Sequence, residues 1–437
     1  MRLTIIGVCF LLCVQPTRSQ NVMPLENVIA AALSNNFDIL LARNDSAAAA
    51  LDFVYANAAF LPRLNGSIFK LWNNNNQKQE FSDGTKRERD NVKSSNLNAA
   101  VNLNWTLFDG LRMFATKERL SQLIELGELS IRNQVVNSVA TIIENYYNIV
   151  QQKQQLKAIE EQMSINEERV KLAERKISVG LGSKPELLQA KVDLNAQKAT
   201  RLRQLTLITQ LVEQLNQLTG KPINEVFEVS DSIPINLNLT FGELVNGIEN
   251  TNPALLVAKK NMLIADLTMK ERRAERWPVI SFNSSYNFAQ TDNKVVVNPF
   301  TPLYSQNKGL NYGFSATIPL LNGFNTRRLI KQSQLDVRYR ELFYNSQRSV
   351  IDVNISNAFK DYEYQKKALL LEEENIQLAK ENTMIALERF RQGVSTYLEL
   401  REAQKSLEDA NNRLIAARYN TKLAETNLLR LRGDLVK

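Results

Sequence analysis

Carboxylates are the side chains through which this sequence could do ionic chemistry, because histidine is absent and both cysteines, Cys9 and Cys13, lie near the N-terminus. Without His, or Cys beyond that segment, imidazole bases, thiolate nucleophiles and zinc sites lose their usual residues. The chain therefore reads as a non-enzyme with no cofactor and no metal site. The densest acidic run, Glu372-Glu373-Glu374, lies in a helical pattern beside no partner base and reads as a solvated face. Glu186, Glu399 and Glu402 stand just after turn-like segments. Taken alone they are carboxylates that complement a helix N-terminus. Lys and Arg alternate with Asp and Glu, as in Glu271-Arg272-Arg273-Ala274-Glu275-Arg276, and form no basic stripe. A nucleic-acid partner is not expected.

The elements that must position these residues begin after a leader. Met1-Arg2, the apolar run Leu3 to Val14 and Pro16-Thr17-Arg18-Ser19 read as a secretory signal peptide over 1–19, with cleavage before Gln20. Its loss takes Arg2 and Arg18 away and lowers the net charge from +8 to about +6. Lipid attachment at Cys13 is disfavoured by the bulky Phe10-Leu11-Leu12 before it. No apolar stretch long enough for a membrane helix follows.

An internal repeat organises the rest. Leu107, Gly110, Lys153, Gly180, Glu186, Leu187 and Gly220 recur 213 residues later as Leu320, Gly323, Lys366, Gly393, Glu399, Leu400 and Gly433. Upstream the offset is 216, pairing Asn36 with Asn252 and Pro62 with Pro278. The division is 20–220, a connector at 221–239 holding Pro222 and Pro234, and 240–437. Each half reads helix, strand, loop, strand, very long helix, tight turn, helix. The predicted helices run over 25–60, 110–179 and 185–218, and then over 241–276, 324–392 and 397–432.

The long helices carry a seven-residue apolar repeat, Val135, Ile142, Ile149, Leu156 and onward to Ile177, and Ile355, Tyr362, Leu369 and Ile376 in the second half. Leu187, Leu194, Ile208 and Leu215, and Leu400, Leu407, Leu414 and Leu428, answer them. A period of seven keeps one seam on a partner, so antiparallel coiled-coil hairpins are predicted.

Strands are predicted at about 62–72, 96–108, 278–290 and 309–321. Leu97 to Leu107 and Leu310 to Ile318 alternate apolar and polar, with Asn frequent on the polar side. Lys70 interrupts the first strand, and Asn73 through Ser95 read as a polar exterior loop. About ten alternating residues suit a tilted outer-membrane strand. The alternative is a soluble amphipathic sheet packed on the coils. Four strands close no barrel, and open edges are not tolerated in lipid, so a membrane sheet of this size requires oligomerisation.

These motifs resemble the TolC-like outer membrane efflux proteins across nearly the whole chain after the leader. The resemblance is carried by the duplicated element order and by Leu61-Pro62 and Trp277-Pro278 at the strand starts. Leu107-Phe108-Asp109-Gly110 and Leu320-Leu321-Asn322-Gly323 follow the strands, and Gly180-Leu181-Gly182-Ser183-Lys184-Pro185 and Gly393-Val394-Ser395-Thr396-Tyr397 form the turns. It implies a mainly α fold with a small membrane β part, in which a homotrimer builds a 12-stranded β-barrel continuing into a periplasmic α-barrel. It also implies an outer membrane location, contact with outer membrane lipid, and partnership with a periplasmic adaptor (membrane fusion protein) and an inner-membrane transporter. The chain would then be the passive exit duct of a tripartite efflux or type I secretion system. By the same resemblance Glu399 and Glu402, with Glu186 in the first turn, line the constriction at the helical tips and favour cations. Gly180, Leu181, Ser183, Gly393, Val394 and Ser395 form the tip turns that meet the adaptor. Some family members hold the tip closed through Tyr and Arg where this chain has Phe390 and Ser395. A competing function, a periplasmic coiled-coil adaptor bridging the envelope without a pore, needs an inserted β-domain for which 221–239 is too short. Sparse Met and absent His favour a drug or protein cargo over a metal.

Overall fold

The computed structural model describes residues 22–180 and 182–436. The signal-peptide reading, Cys9, Cys13 and the tip residue Leu181 lie outside the described residues. The chain is mainly helical with one antiparallel sheet. Its elements are α1 Leu25–Asn35, α2 Phe37–Val54, a 3₁₀ turn Tyr55–Phe60, β1 Arg63–Glu80, β2 Lys86–Phe108, α3 Arg112–Ser178 and α4 Lys184–Thr219. They continue with α5 Phe241–Val245, α6 Ile248–Thr251, α7 Pro253–Ala274, β3 Val279–Asn293, β4 Tyr304–Thr317, α8 Asn325–Arg391 and α9 Tyr397–Arg432. α3 and α8 are 67 residues each, and α4 and α9 are 36 each.

Two predicted helices are broken, and asparagine breaks both. The backbone N–H of Asn36 closes α1 on the Ala32 carbonyl, and its side-chain oxygen accepts from the N–H groups of Asp38 and Ile39, which starts α2. The second stretch is interrupted at Gly247, whose φ is +77°, and again at Asn252, held extended ahead of Pro253. Both asparagines are buried, and each amide donates to the end of a returning helix. Asn36 reaches the Leu218 carbonyl at 2.8 Å, and Asn252 the Leu431 carbonyl at 2.6 Å. The terminal carbonyls of α4 and α9, which have no partner inside their own helices, are satisfied in this way.

The chain folds as two compact units, and each draws on both halves of the sequence. The first contains residues up to Ala42, Ile131–Pro253 and those from Ser349. Its core is the predicted coiled-coil seam. Ile142 and Ile149 of α3 are buried with Val28 and Ala32 of α1 and Leu211 and Leu215 of α4. Leu369 and Ile376 of α8 pack with Ala410 and Leu414 of α9. Each fully buried side chain of this size contributes about 1.5–3 kcal/mol of transfer free energy. Two buried tyrosines tie down the connector. Tyr146 donates to the Met23 carbonyl and accepts from the Ser230 N–H, both at 3.0 Å, while Tyr362 donates to the Asn236 carbonyl at 2.7 Å. Glu425, also buried, accepts from the Asn236 N–H at 3.0 Å and pairs with Lys422 at 2.9 Å.

The second unit, Arg43–Ser130 and Ala254–Arg348, carries the sheet in the order β1-β2-β3-β4. β1 and β2 are longer than predicted. Asn73 through Ser95, read as an exterior loop, continues the ladder as far as Glu80 opposite Lys86. Polar composition misled here, because a hairpin satisfies its backbone across the ladder whatever its side chains are. β1 keeps its register through Lys70, which pairs with Leu97, but the alternation is interrupted there as predicted: Lys70 shares the face of Ile68 and Trp72, while Phe69 and Leu71 fall on the face of Asn96 and Asn98. At the β2 exit, Gly110 has φ +74°, and a Cβ there would run into the Ala274 carbonyl and come within 2.8 Å of the Trp277 Cβ. Glycine is required for that approach of β2 to the end of α7. Arg119 of α3 pairs with Glu271 of α7 at 2.9 Å beside it.

Candidate functional site

The register assigns every side chain of the sheet to one of two faces. On one face lie Asn65 and Ser67 of β1, Asn102 and Asn104 of β2, Asn283, Ser285 and Asn287 of β3, and Asn311 and Ser315 of β4. They bond across strands. Asn104 donates to Asn283 at 2.6 Å, Asn283 to Ser315 at 2.8 Å, Ser285 to Asn102 at 2.7 Å and Thr291 to Asn96 at 2.9 Å. Arg63, at the start of β1, is the one charged side chain on this face along 63–73, 94–106, 281–293 and 305–315. The opposite face carries Leu64, Ile68, Val101, Trp105, Phe282, Tyr286, Leu310, Tyr312 and Phe314. It is uncovered: Ile68, Tyr312 and Phe314 are each 75% exposed. A soluble sheet packed on the coils would bury this face, so the alternative reading fails. A contiguous apolar surface of this kind marks a membrane or partner surface.

The predicted tip residues sit at two helix–turn–helix ends in the first unit. α3 ends at Ser178 with Gly180 at φ +75°, and Ser183 caps α4 by accepting from the Glu186 N–H at 3.4 Å. α8 ends at Arg391, and Gly393, also at φ +75°, allows the Val394 N–H to close on the Arg389 carbonyl at 2.9 Å. Thr396 then caps α9 through its side chain. Its hydroxyl accepts from the Glu399 N–H at 3.3 Å and lies 3.2 Å from the carboxylate. The second carboxylate oxygen of Glu399 is 3.9 Å from Arg389. Glu402 is exposed and has no ion-pair partner among the described residues, and Glu186 is half-buried. Val394 is exposed, and the half-buried Ser395 Oγ has no hydrogen-bond partner among the described residues.

Sequence reasoning missed the residue that joins the two hairpins. Asp193 of α4 accepts from Gln189 at 2.9 Å and from the Tyr397 hydroxyl at 3.3 Å, with Arg169 of α3 at 3.3 Å and Arg401 of α9 at 3.7 Å. The Arg169 guanidinium also stacks over the Tyr397 ring at 4.7 Å. Burial lowers the Arg169 pKa, and the Asp193 charge opposes that shift. Lys176 lies over Phe390 at 4.7 Å, so the position without a tyrosine hydroxyl still links α3 to α8. No local motif marks Asp193, because Tyr397 is 204 residues away. The reading of Glu372-Glu373-Glu374 as a solvated face is corrected at Glu372. Arg413 of α9 reaches both Glu372 oxygens at 3.2 Å, and Arg418 lies 3.7 Å from Glu373. Glu373 and Glu374 are exposed, and Glu372 is half-buried. The missed signal was the cation face of the returning helix.

Long coiled-coil helices and a small sheet with one amide-rich and one apolar face are the elements of a membrane channel protein of mixed helix and strand. The chain belongs to the outer membrane efflux protein family, whose model matches residues 28–221 and again 244–434. It is 24% identical over 414 residues to the cation efflux system protein CusC of Escherichia coli O6:H1, covering 92% of this chain and 84% of that one. It is 21% identical over 376 residues to the outer membrane protein TolC of Escherichia coli K12, covering 81% and 73%. Among solved structures, the CmeC outer membrane channel of Campylobacter jejuni superposes with a TM-score of 0.77 at 17% identity, over 94% of this chain and 86% of that chain. The protein is thus an efflux channel of the outer membrane with its helical part in the periplasm.

Proposed function

We propose that three copies of this chain close their sheets edge to edge into a 12-stranded barrel. The helices would continue as an α-barrel across the periplasm, making a passive exit duct for a tripartite efflux or type I secretion system. The observation that carries this reading is the four-stranded sheet itself, with an exposed apolar face, an amide and hydroxyl face, and β1 and β4 as free edges. Lipid tolerates neither free edges nor so small a closed barrel, so copies must supply the missing pairings. The amide face then lines the lumen and the apolar face meets lipid. The two stretches matched by the family model, 28–221 and 244–434, are read as two outer membrane efflux repeats, 20–220 and 240–437, about the connector 221–239.

At the helical tips, Glu399 and Glu402, with Glu186, would ring the constriction, and three copies would favour cations over anions. Gly180, Leu181, Ser183, Gly393, Val394 and Ser395 form the tips offered to a periplasmic adaptor (membrane fusion protein), which couples the duct to an inner-membrane transporter. The test is reconstitution of the purified full chain in planar bilayers. A trimer that conducts ions supports the duct, and a trimer with no conductance under any gating condition overturns it.

A further inference from the structure

The lipid-facing side of the sheet ends in lysines. Along β3 the apolar face runs from Ile280 to Phe288, about 27 Å at strand rise, which at the roughly 35–45° tilt of membrane strands spans about 20 Å of the roughly 25 Å apolar band of membrane barrels. Lys308 pairs with Phe288 at the end of that band, and the same row crosses Ala99 to Ile68. Lys70 is one row further out on the same face. Each ammonium lies over an aromatic ring, Lys308 at 5.5 Å from Phe288 and Lys70 at 5.2 Å from Trp72. Neither has a carboxylate partner among the described residues. Beyond them Lys93 and Asp292 share the face, and Asp292 already accepts from Gln290 at 2.9 Å.

Lys308 is on β4 and Lys70 on β1, the two free edges of the sheet. In a closed ring of copies, β4 of one chain runs antiparallel beside β1 of the next. Lys308 of one copy and Lys70 of the next then stand on the two strands of each seam, on the side of the hairpin turns. We infer that each seam binds the phosphate of an outer-leaflet lipid headgroup between Lys308 of one copy and Lys70 of the next. The lysine stems follow the apolar surface, the aromatic rings hold them, and the ammonium groups reach the headgroup level. A phosphate supplies the charge and acceptors that two unpaired ammoniums lack. This inference rests on the barrel reading, because no single chain holds both lysines at one seam.

The experiment uses the full-length assembly in detergent, with native mass spectrometry counting bound bisphosphorylated lipid A, dephosphorylated lipid A and phosphatidylethanolamine. Retention of the phosphorylated lipid is expected at up to one per seam, with affinity about tenfold or more lower in Lys70→Gln/Lys308→Gln, the size of one charge-assisted contact. Lys70→Arg/Lys308→Arg should retain binding, and Lys331→Gln on α8 should not alter it. Equal retention of phosphorylated and dephosphorylated lipid, unchanged binding in the Gln double variant, or full displacement by an equal concentration of inorganic phosphate would overturn the site. Bilayer conductance of the same samples separates the two readings. A conducting assembly without lipid preference removes only the lysine site, whereas failure to assemble removes the barrel as well.

Discussion

The Tyr397 hydroxyl donates to the Asp193 carboxylate at 3.3 Å, joining the first turn of α9 to α4 while the Tyr397 ring supports the Arg169 guanidinium. Two hairpins far apart in sequence are thereby held by one carboxylate. Asp193→Asn leaves Arg169 in a largely buried position without its counter-charge, and is expected to cost about 2–3 kcal/mol. Tyr397→Phe removes a single neutral donor and is expected to cost about 1 kcal/mol. Thermal unfolding ranks the two. Single-channel recording should give higher conductance for Asp193→Asn if this contact restrains the tip, and unchanged conductance would limit the contact to folding.

The two tip glutamates should differ in their effect on ion selectivity. Glu399 is engaged by its own cap and lies near Arg389, whereas Glu402 has no cationic neighbour within ion-pair distance among the described residues. Glu402→Gln is therefore expected to lower the cation-to-anion permeability ratio by about twofold or more, and Glu399→Gln by less, because Arg389 already screens it. Reversal potentials in a salt gradient make the comparison, and equal ratios for wild type and both variants would remove these residues from the gate.

A charge placed on the two faces of the sheet should act in opposite ways. Ser285→Asp, on the amide face, is expected to leave assembly intact and raise cation preference. Phe314→Arg, on the apolar face, should impair membrane insertion, with a cost of about 2–4 kcal/mol near the bilayer midplane. Heat-modifiable mobility and reversal potential read the two effects. Selectivity altered by Phe314→Arg and insertion lost in Ser285→Asp would reverse the assignment of the faces.

Alkaline pH should destabilise the first unit. Burial, followed by Tyr146 and Glu425, pushes the Tyr147 phenol up from 10.0 to about 12, and burial raises Tyr362 and Tyr419 as well. A raised folded-state pKa gives stability that is full below the unfolded value and is lost as pH climbs through the folded one. Stability is expected to fall between pH 10 and about 12, and Tyr147→Phe should flatten that decline in chemical denaturation.

Buried Asn36 and Asn252 should be costly to remove. Alanine at either position strands the carbonyl of Leu218 or Leu431 and, at Asn36, also uncaps α2. About 2 kcal/mol or more is expected for each. Denaturant midpoints measure the loss, and a change below about 0.5 kcal/mol would place the structural weight elsewhere.

Much of this protein is local in origin and was therefore legible. The seven-residue repeat through Ile142 and Ile149, and through Leu369 and Ile376, fixed the long helices and their seam, because helical periodicity depends only on neighbours in sequence. Gly180 and Gly393 marked the turns, since few other residues adopt positive φ there. Alternation identified both faces of β2, β3 and β4, and failed in β1, where Phe69 and Leu71 fall on the amide face and Lys70 on the apolar one. Their full length was not legible, because the polar stretch to Glu80 becomes strand only by pairing with β2.

Tertiary structure alone decided the contacts between distant segments. Asp193 looks like any helical aspartate until α9 brings Tyr397 and Arg401 to it, and Glu372 looks solvated until Arg413 arrives. Compactness likewise crosses the repeat, since each unit takes segments from both halves. Periodicity and turn chemistry are written along the chain. Which charges meet depends on how the hairpins dock, and that is a property of the folded molecule.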